Sequence, residues 1–386
     1  MKYYIIAGEL SGDLHASYLI KELKKQDKDA VFRGFGGDKM KQAGCQIAKH
    51  INELAFMGFV QVLTHIRAVL GNIKACKKDI LAYQPDVVIF IDYPGFNLRI
   101  AQWTNQQRIK AFYYISPTVW AWKKSRMKQI NRTTERLYVI LPFEKAFYAR
   151  HRFGVEYFGS PLIEEIADFR NAKASNDKSQ WDYNTEEWSF DTAKASAAAP
   201  KGYVVLLPGS RKQEIKDMLP MMLRLADNYQ QFHFIIAGVS NLEPSFYDKI
   251  IGERNVEVVY NQTYNLLSQA QAAIVTSGTA TLETALFRVP QVVCYKADAI
   301  SYRIARSLAN VKYISLVNLI LDKPAVTELI QNDFSYERLA DEFELIAYDN
   351  DNRERMKADY DTIISLLGQT DASSKIAEHM SALLKH

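Results

Sequence analysis

Asp86-Val-Val-Ile-Phe-Ile-Asp92 decides the fold: five consecutive apolar residues between two carboxylates, followed at once by Tyr93-Pro-Gly-Phe-Asn97. Strands buried on both faces of a parallel sheet read as unbroken Val/Ile runs of this kind, whereas a half-exposed strand alternates. Similar runs lie on either side. Tyr3-Tyr-Ile-Ile-Ala7 and Ala30-Val-Phe-Arg-Gly-Phe-Gly37 precede it, and Ala111-Phe-Tyr-Tyr-Ile-Ser116 and Arg136-Leu-Tyr-Val-Ile-Leu-Pro142 follow. Helical spacing lies between them, as in residues 14–25, where Ala16, Leu19, Ile20 and Leu23 share one face. Short apolar strands alternating with helices imply βαβ units and a parallel sheet.

The alternation stops at residues 171–200, which are small and polar, broken by Trp181, Tyr183, Trp188 and Phe190, and read as a linker or surface insertion. It then restarts with Gly202-Tyr-Val-Val-Leu-Leu-Pro-Gly209, Phe232-His-Phe-Ile-Ile-Ala-Gly238, Val256-Glu-Val-Val-Tyr260, Ala272-Ala-Ile-Val-Thr-Ser277 and Gln291-Val-Val-Cys-Tyr295. From Tyr336 the chain looks helical and amphipathic. The expected architecture is α/β, with two Rossmann-like domains over 1–170 and 201–335. A helical tail over 336–386 is expected to pack back on the first domain or be exchanged in a dimer.

At 386 residues the chain has length enough for two cores. Its formal charge of +4 and 24% charged residues exclude a disordered chain and give no basic stripe for nucleic acid. Three separated cysteines exclude a disulfide scaffold and a Cys-rich zinc module, and suit a reducing cytoplasm. No signal peptide is expected, and the uncharged stretch Leu54–Ile66 is too short to span a bilayer. No H-E-x-x-H occurs, and the three D-x-D triplets (27/29, 349/351, 359/361) close no apolar strand, so no metal is expected.

Five strand-end segments carry chemistry. Gly8-Glu-Leu-Ser-Gly-Asp13 follows the first strand and opens a helix, so Ser11, Gly12 and the helix amides could hold a polar or anionic group. The plainer reading is a βα loop in which Ser11 or Asp13 caps that helix. Pro208-Gly209-Ser210-Arg211, with Glu214 after it, offers a glycine turn, a hydroxyl and a guanidinium fork to a phosphate, against a solvated surface loop. Thr276-Ser277-Gly278-Thr279-Ala-Thr-Leu-Glu283 repeats the logic, with Glu283 able to accept from ribose hydroxyls, against a simple helix start. Two such loops in one domain point to a nucleotide diphosphate. Asp92 stands at the strand end where α/β ligands bind, and apolar neighbours disfavour its charged form, which suits a general base; the alternative is a turn Asp before Pro-Gly. Ser116-Pro-Thr-Val-Trp120-Ala-Trp122 reads as a pocket wall or as core aromatics.

Leu54 to Leu70 is apolar around much of a helix. Phe59, Leu63, Ile66 and Leu70 read as a membrane patch with a basic rim of Arg67, Lys74, Lys77 and Lys78, or else as a core helix.

In order, these segments resemble the lipid-A-disaccharide synthases over nearly the whole chain. The resemblance rests on Ala7–Asp13, Gly36-Gly-Asp-Lys-Met40, Glu53-Leu-Ala-Phe-Met57-Gly58, Asp92–Asn97, Ser116–Trp122, Leu141-Pro-Phe-Glu-Lys-Ala-Phe-Tyr148, Leu207–Arg211, Thr276–Ala280 and Val317-Asn318-Leu319. It implies a GT-B fold and no metal or other cofactor. It implies inverting transfer of 2,3-diacylglucosamine from UDP onto 2,3-diacylglucosamine 1-phosphate (lipid X), giving a β-1,6 disaccharide and UDP. It also implies a Gram-negative cell, attachment to the inner membrane from the cytoplasm, and a dimer exchanging C-terminal segments. Asp92 would be the base and Glu9 would orient it or the acceptor. Gly209, Ser210, Arg211, Glu214, Ser277, Gly278, Thr279, Glu283 and Asn318 would hold the UDP donor, and Ser11, Gly12, Met57, Gly58, Ser116 and Trp120 would line the acceptor side. Three features depart from the family: Leu10 stands where Thr is usual, Ser160 where His is common, and residues 171–200 are longer. Two rivals are a UDP-sugar 2-epimerase on the same fold and a nucleotide-sugar-binding protein without catalysis.

Overall fold

The computed structural model describes residues 1–54, 66–117, 125–175, 202–297, 302 and 311–385. Met57, Gly58, Phe59, Leu63 and Trp120 therefore lie outside the described residues, as do residues 176–201 and the side chain of Ile66. The chain divides into two compact units, Met1–Glu164 with Leu367–His386, and Glu165–Leu366.

In the first unit the described strands are β1 (Lys2–Ala7), β2 (Val31–Gly36), β3 (Cys45–His50), β4 (Val87–Ile91), β5 (Lys110–Tyr114), β6 (Arg136–Val139) and β7 (Glu156–Tyr157). They form one parallel sheet in the order β3-β2-β1-β4-β5-β6-β7. Successive side chains point to opposite faces, so Tyr4 and Ile6 of β1 enter one core with Val88 and Phe90 of β4. Tyr3, Ile5 and Ala7 enter the other with Val87, Ile89 and Ile91. Two tyrosines so deep in a sheet need partners for their hydroxyls. Tyr4 finds one in Asp79 at 2.7 Å, itself gripped by Arg33 at 2.7 and 2.9 Å.

In the second unit the described strands β8 (Tyr203–Leu207), β9 (His233–Gly238), β10 (Glu257–Tyr260), β11 (Ala272–Thr276), β12 (Gln291–Tyr295) and β13 (Glu328–Ile330) are again all parallel. Their order is β10-β9-β8-β11-β12-β13. Each sheet grows outward from its first strand in one direction and then, at the fourth, in the other. That reversal opens a crevice between β1 and β4 in one unit and between β8 and β11 in the other.

Three boundaries differ from expectation. The Pro161–Ser175 helix runs into the segment read as a linker, and from Glu165 onward it belongs to the second unit. The helices Tyr336–Ala347 and Asn350–Leu367 belong to the second unit almost entirely, Phe343 packing on Phe232 and Phe234. Only the Ala372–Leu384 helix returns to the first unit, where Ile376, Ala377 and Met380 share a core with Leu19, Ile20 and Leu23. Its start is held by Glu164, which accepts from the Ser373 amide at 2.7 Å and the Ser373 hydroxyl at 2.5 Å. Ser160 is buried at the same junction, its amide donating to the Leu367 carbonyl at 2.9 Å.

Candidate active site

β1 and β4 are direct neighbours, with Ala7 opposite Ile91. The residues that follow them, Gly8-Glu9 and Asp92-Tyr93, therefore emerge side by side at the first crevice. Asp92 and Tyr93 are both left-handed, with φ of +42° and +48°. The turn swings the Tyr93 ring over Gly8, where any Cβ would lie 2.3 Å from a ring carbon, so position 8 admits only glycine. Half-buried, the Asp92 carboxyl is pushed up to about 7, first by loss of water and then by the charge of Glu9, while the Tyr93 amide pulls it down. A carboxylate that titrates near neutrality and keeps solvent access can take up a proton during a reaction.

Glu9 is the residue before the Leu10–Gln26 helix, and no side chain caps that helix. The plainer reading of this loop is thus corrected: Ser11 is exposed and Asp13 turns elsewhere. Buried Asp13 accepts from the amides of Gly37 at 2.6 Å, Lys39 at 2.9 Å and Met40 at 3.2 Å, tying the loop to the start of the Asp38–Gln42 helix. Gly12 is buried close under β1 and β4, and Leu10 is 77% exposed. Ser116 lies two residues beyond β5, its hydroxyl 2.5 Å from that of Tyr148, both buried.

The second crevice is chemically different. Leu207 of β8 lies opposite Val275 of β11, which brings the 208–211 and 276–279 loops together. Gly209 has φ +106° and sits under the Glu214 side chain. Glu214 accepts from the Ser210 and Arg211 amides at 3.3 Å each and from the Arg211 guanidinium at 3.0 Å. A carboxylate thus already lies on the amides and the cation that the sequence analysis assigned to an anion. Ser277 donates to the Ile314 carbonyl at 3.0 Å, Gly278 precedes the Thr279–Leu286 helix without a side-chain cap, and Thr279 is exposed. Burial, and then the charge of Glu165, push the Glu283 carboxyl up to about 7.

Asn318 does not join these loops through its amide. Buried, it donates to the Val326 carbonyl and Glu328 at 2.9 Å each and accepts from the Val326 amide at 2.9 Å. Leu70 is 57% exposed on the Ile66–Tyr83 helix, with Arg67, Lys74, Lys78 and Leu81 also exposed and Lys77 over the Trp103 ring.

Several residues escaped the sequence analysis. Asn97 and Tyr113 bind the Asp92 carbonyl, Glu165 faces Glu283 and is held by the Tyr264 hydroxyl at 2.9 Å, and Glu328 organises Ser315 and Asn318. Only Asn97 left a signal, as the last residue of the 92–97 motif. Among the described residues no cluster of His, Cys, Asp or Glu is arranged to hold a metal ion, and no helix is long and apolar enough to cross a membrane.

Two Rossmann-like units with these crevices define the class by fold: the GT-B architecture, which glycosyltransferases share with UDP-sugar epimerases. A UDP-GlcNAc 2-epimerase from Neisseria meningitidis, solved bound to UDP-GlcNAc, superposes with a TM-score of 0.70 at 15% identity, each chain covered completely. The glycosyltransferase SnogD from Streptomyces nogalater gives 0.59 at 15% identity, with 99% of each chain covered. Those likenesses concern the fold; sequence decides between the chemistries. The Lipid-A-disaccharide synthetase profile matches residues 3–381. The lipid-A-disaccharide synthase of Syntrophus aciditrophicus is 35% identical, over 99% of this chain and 97% of the relative. The chain belongs to the lipid-A-disaccharide synthase family, and its activity is glycosyl transfer.

Proposed function

We propose that the chain joins UDP-2,3-diacylglucosamine to 2,3-diacylglucosamine 1-phosphate with inversion, at the inner membrane surface, and that Asp92 is its general base. The observation that carries this reading is the pair at the first crevice: Asp92 beside Glu9, its carboxyl raised to about 7 by burial. As the acceptor 6-hydroxyl oxygen bonds to the anomeric carbon, its proton passes to Asp92. The bond from that carbon to the diphosphate oxygen breaks, and its electron pair leaves with UDP. Glu9 orients the acceptor or the base. The loops of the second unit would take the leaving charge on Arg211, the Ser210 and Arg211 amides and the open end of the Thr279–Leu286 helix, which is the work a divalent cation does elsewhere. Glu214 must give up those amides when the diphosphate arrives. The exposed Arg67, Leu70, Lys74, Lys78 and Leu81 favour contact with an anionic bilayer from which acylated substrates are drawn.

Incubating the purified chain with both lipids, with and without EDTA, and reading products by mass spectrometry tests this. Disaccharide 1-phosphate and UDP in equal amounts, unaffected by EDTA, are expected. Free UDP without a disaccharide would favour the epimerase reading instead, and loss with EDTA would overturn the metal-free assignment.

A further inference from the structure

Two consecutive side-chain-bearing residues in the left-handed region, Asp92 and Tyr93, are strained and persist only where their surroundings leave no alternative. The constraint at this turn is visible. The Asn97 side-chain nitrogen lies 2.8 Å from the Asp92 carbonyl oxygen, 3.2 Å from that of Ile91 and 3.3 Å from that of Ile6. The Tyr113 hydroxyl reaches the Asp92 carbonyl at 2.7 Å, and the Asp92 amide donates to the Tyr114 carbonyl at 3.0 Å. The peptide after Asp92 is thus held by Tyr113 of β5 and by Asn97 of the Pro94–Gln106 helix, whose amide also reaches carbonyls of β1 and β4. Asn97 is fully buried, and its own carbonyl oxygen has no hydrogen-bond partner.

We propose that Asn97 and Tyr113 are positioning residues, which hold the Asp92 carbonyl and thereby aim the Asp92 carboxylate beside Glu9. The inference rests on the reading of Asp92 as the base. Without the grip the turn relaxes toward ordinary backbone angles, and the carboxylate swings away from Glu9 toward water.

The test is a double-mutant cycle on the full chain. Tyr113→Phe and Asn97→Ala are each made in the parent and in Asp92→Asn, with steady-state kinetics on UDP-2,3-diacylglucosamine and lipid X and melting curves for all. The expected result is a kcat about tenfold lower for Tyr113→Phe and about a hundredfold lower for Asn97→Ala, the scale set by misplacing a catalytic group by an ångström. KM should hold within about twofold, because substrate binding does not use the carbonyl. The acid limb of kcat/KM should move to lower pH, since a rehydrated Asp92 leaves the company of Glu9, the charged group that faces it. In the Asp92→Asn background both substitutions should change kcat by less than about twofold. Parental kcat and pH profile in folded Tyr113→Phe, or losses that multiply fully with Asp92→Asn, would overturn the positioning role while leaving the base in place. Near-parental turnover in Asp92→Asn itself would instead overturn the base, and the positioning role with it. Should Asn97→Ala fail to fold, Tyr113→Phe decides alone.

Discussion

The two crevices share one topology and oppose each other in charge. In the first unit the strand ends carry carboxylates, Glu9 on extended backbone and Asp92 on a left-handed turn. In the second they carry amides, hydroxyls and Arg211, on a glycine turn. Strand order fixes where a ligand can sit, at the reversal between the first and fourth strands of each sheet. The side chains at those ends fix what can sit there. An acidic end can receive a proton from an incoming hydroxyl, and an amide-rich, cationic end can hold a departing diphosphate. Even the resident ligands follow this division. Asp13, near the first crevice, spends its carboxylate on a neighbouring helix start, whereas Glu214, inside the second, accepts from the Ser210 and Arg211 amides of its own loop.

Removing the charge from the acidic crevice should have the largest effect. Asp92→Asn is expected to lower kcat by at least about a hundredfold while leaving UDP affinity unchanged, the scale of a lost general base; near-parental turnover in the purified variant would take Asp92 out of that role.

The same residue makes a pH prediction with a definite sign. The reactive form is the ionised one, so kcat/KM should fall as pH drops through about 7. Stability should run the other way. With a folded pKa above the unfolded one, the folded chain binds the extra proton between about 4 and 7, and stability declines as pH rises across that window. Asp92→Asn should therefore melt no lower than the parent at pH 8. A lower melting temperature there would contradict the burial of the charge.

In the cationic crevice, Arg211→Ala should weaken UDP binding by ~1.5–3 kcal/mol, the worth of a charge-assisted hydrogen bond, and leave the melting temperature alone because the side chain is 66% exposed. Unchanged affinity in calorimetry would remove Arg211 from the donor site. Smallest of all, Leu70→Gln with Lys74→Gln should reduce binding to anionic liposomes by ~1 kcal/mol per lysine at low salt without altering stability. Equal liposome binding would move the membrane surface off the Ile66–Tyr83 helix.

Most of the fold could be read before the structure, and the failures have a common cause. The strands that escaped notice, β3, β7 and β13, each lie at an edge of their sheet. An edge strand is covered on fewer sides, so Cys45-Gln-Ile-Ala-Lys-His50 needs no unbroken apolar run. The candidate site divides similarly. The strand-end positions of Glu9, Asp92, Gly209, Arg211 and Ser277 were legible because strand ends are local features. The buried commitment of Asn318 was not, since its partners Val326 and Glu328 come from a different segment.

The run of apolar residues from Val87 to Ile91, and its counterparts in both halves, determined a pair of parallel sheets, because hydrophobic periodicity reports burial residue by residue. The polar loops that interrupt those runs determined where chemistry could occur. Tertiary structure alone decided which ends meet. Gly8 and Asp92 are neighbours because β1 pairs with β4 rather than with β5, and sheet pairing joins carbonyls to amides that any sequence supplies equally. It also decided that the Asp92 turn is left-handed and that Asn97 and Tyr113 reach its carbonyl. Those angles are unfavourable for the dipeptide by itself, and only the packed strands on either side hold it there.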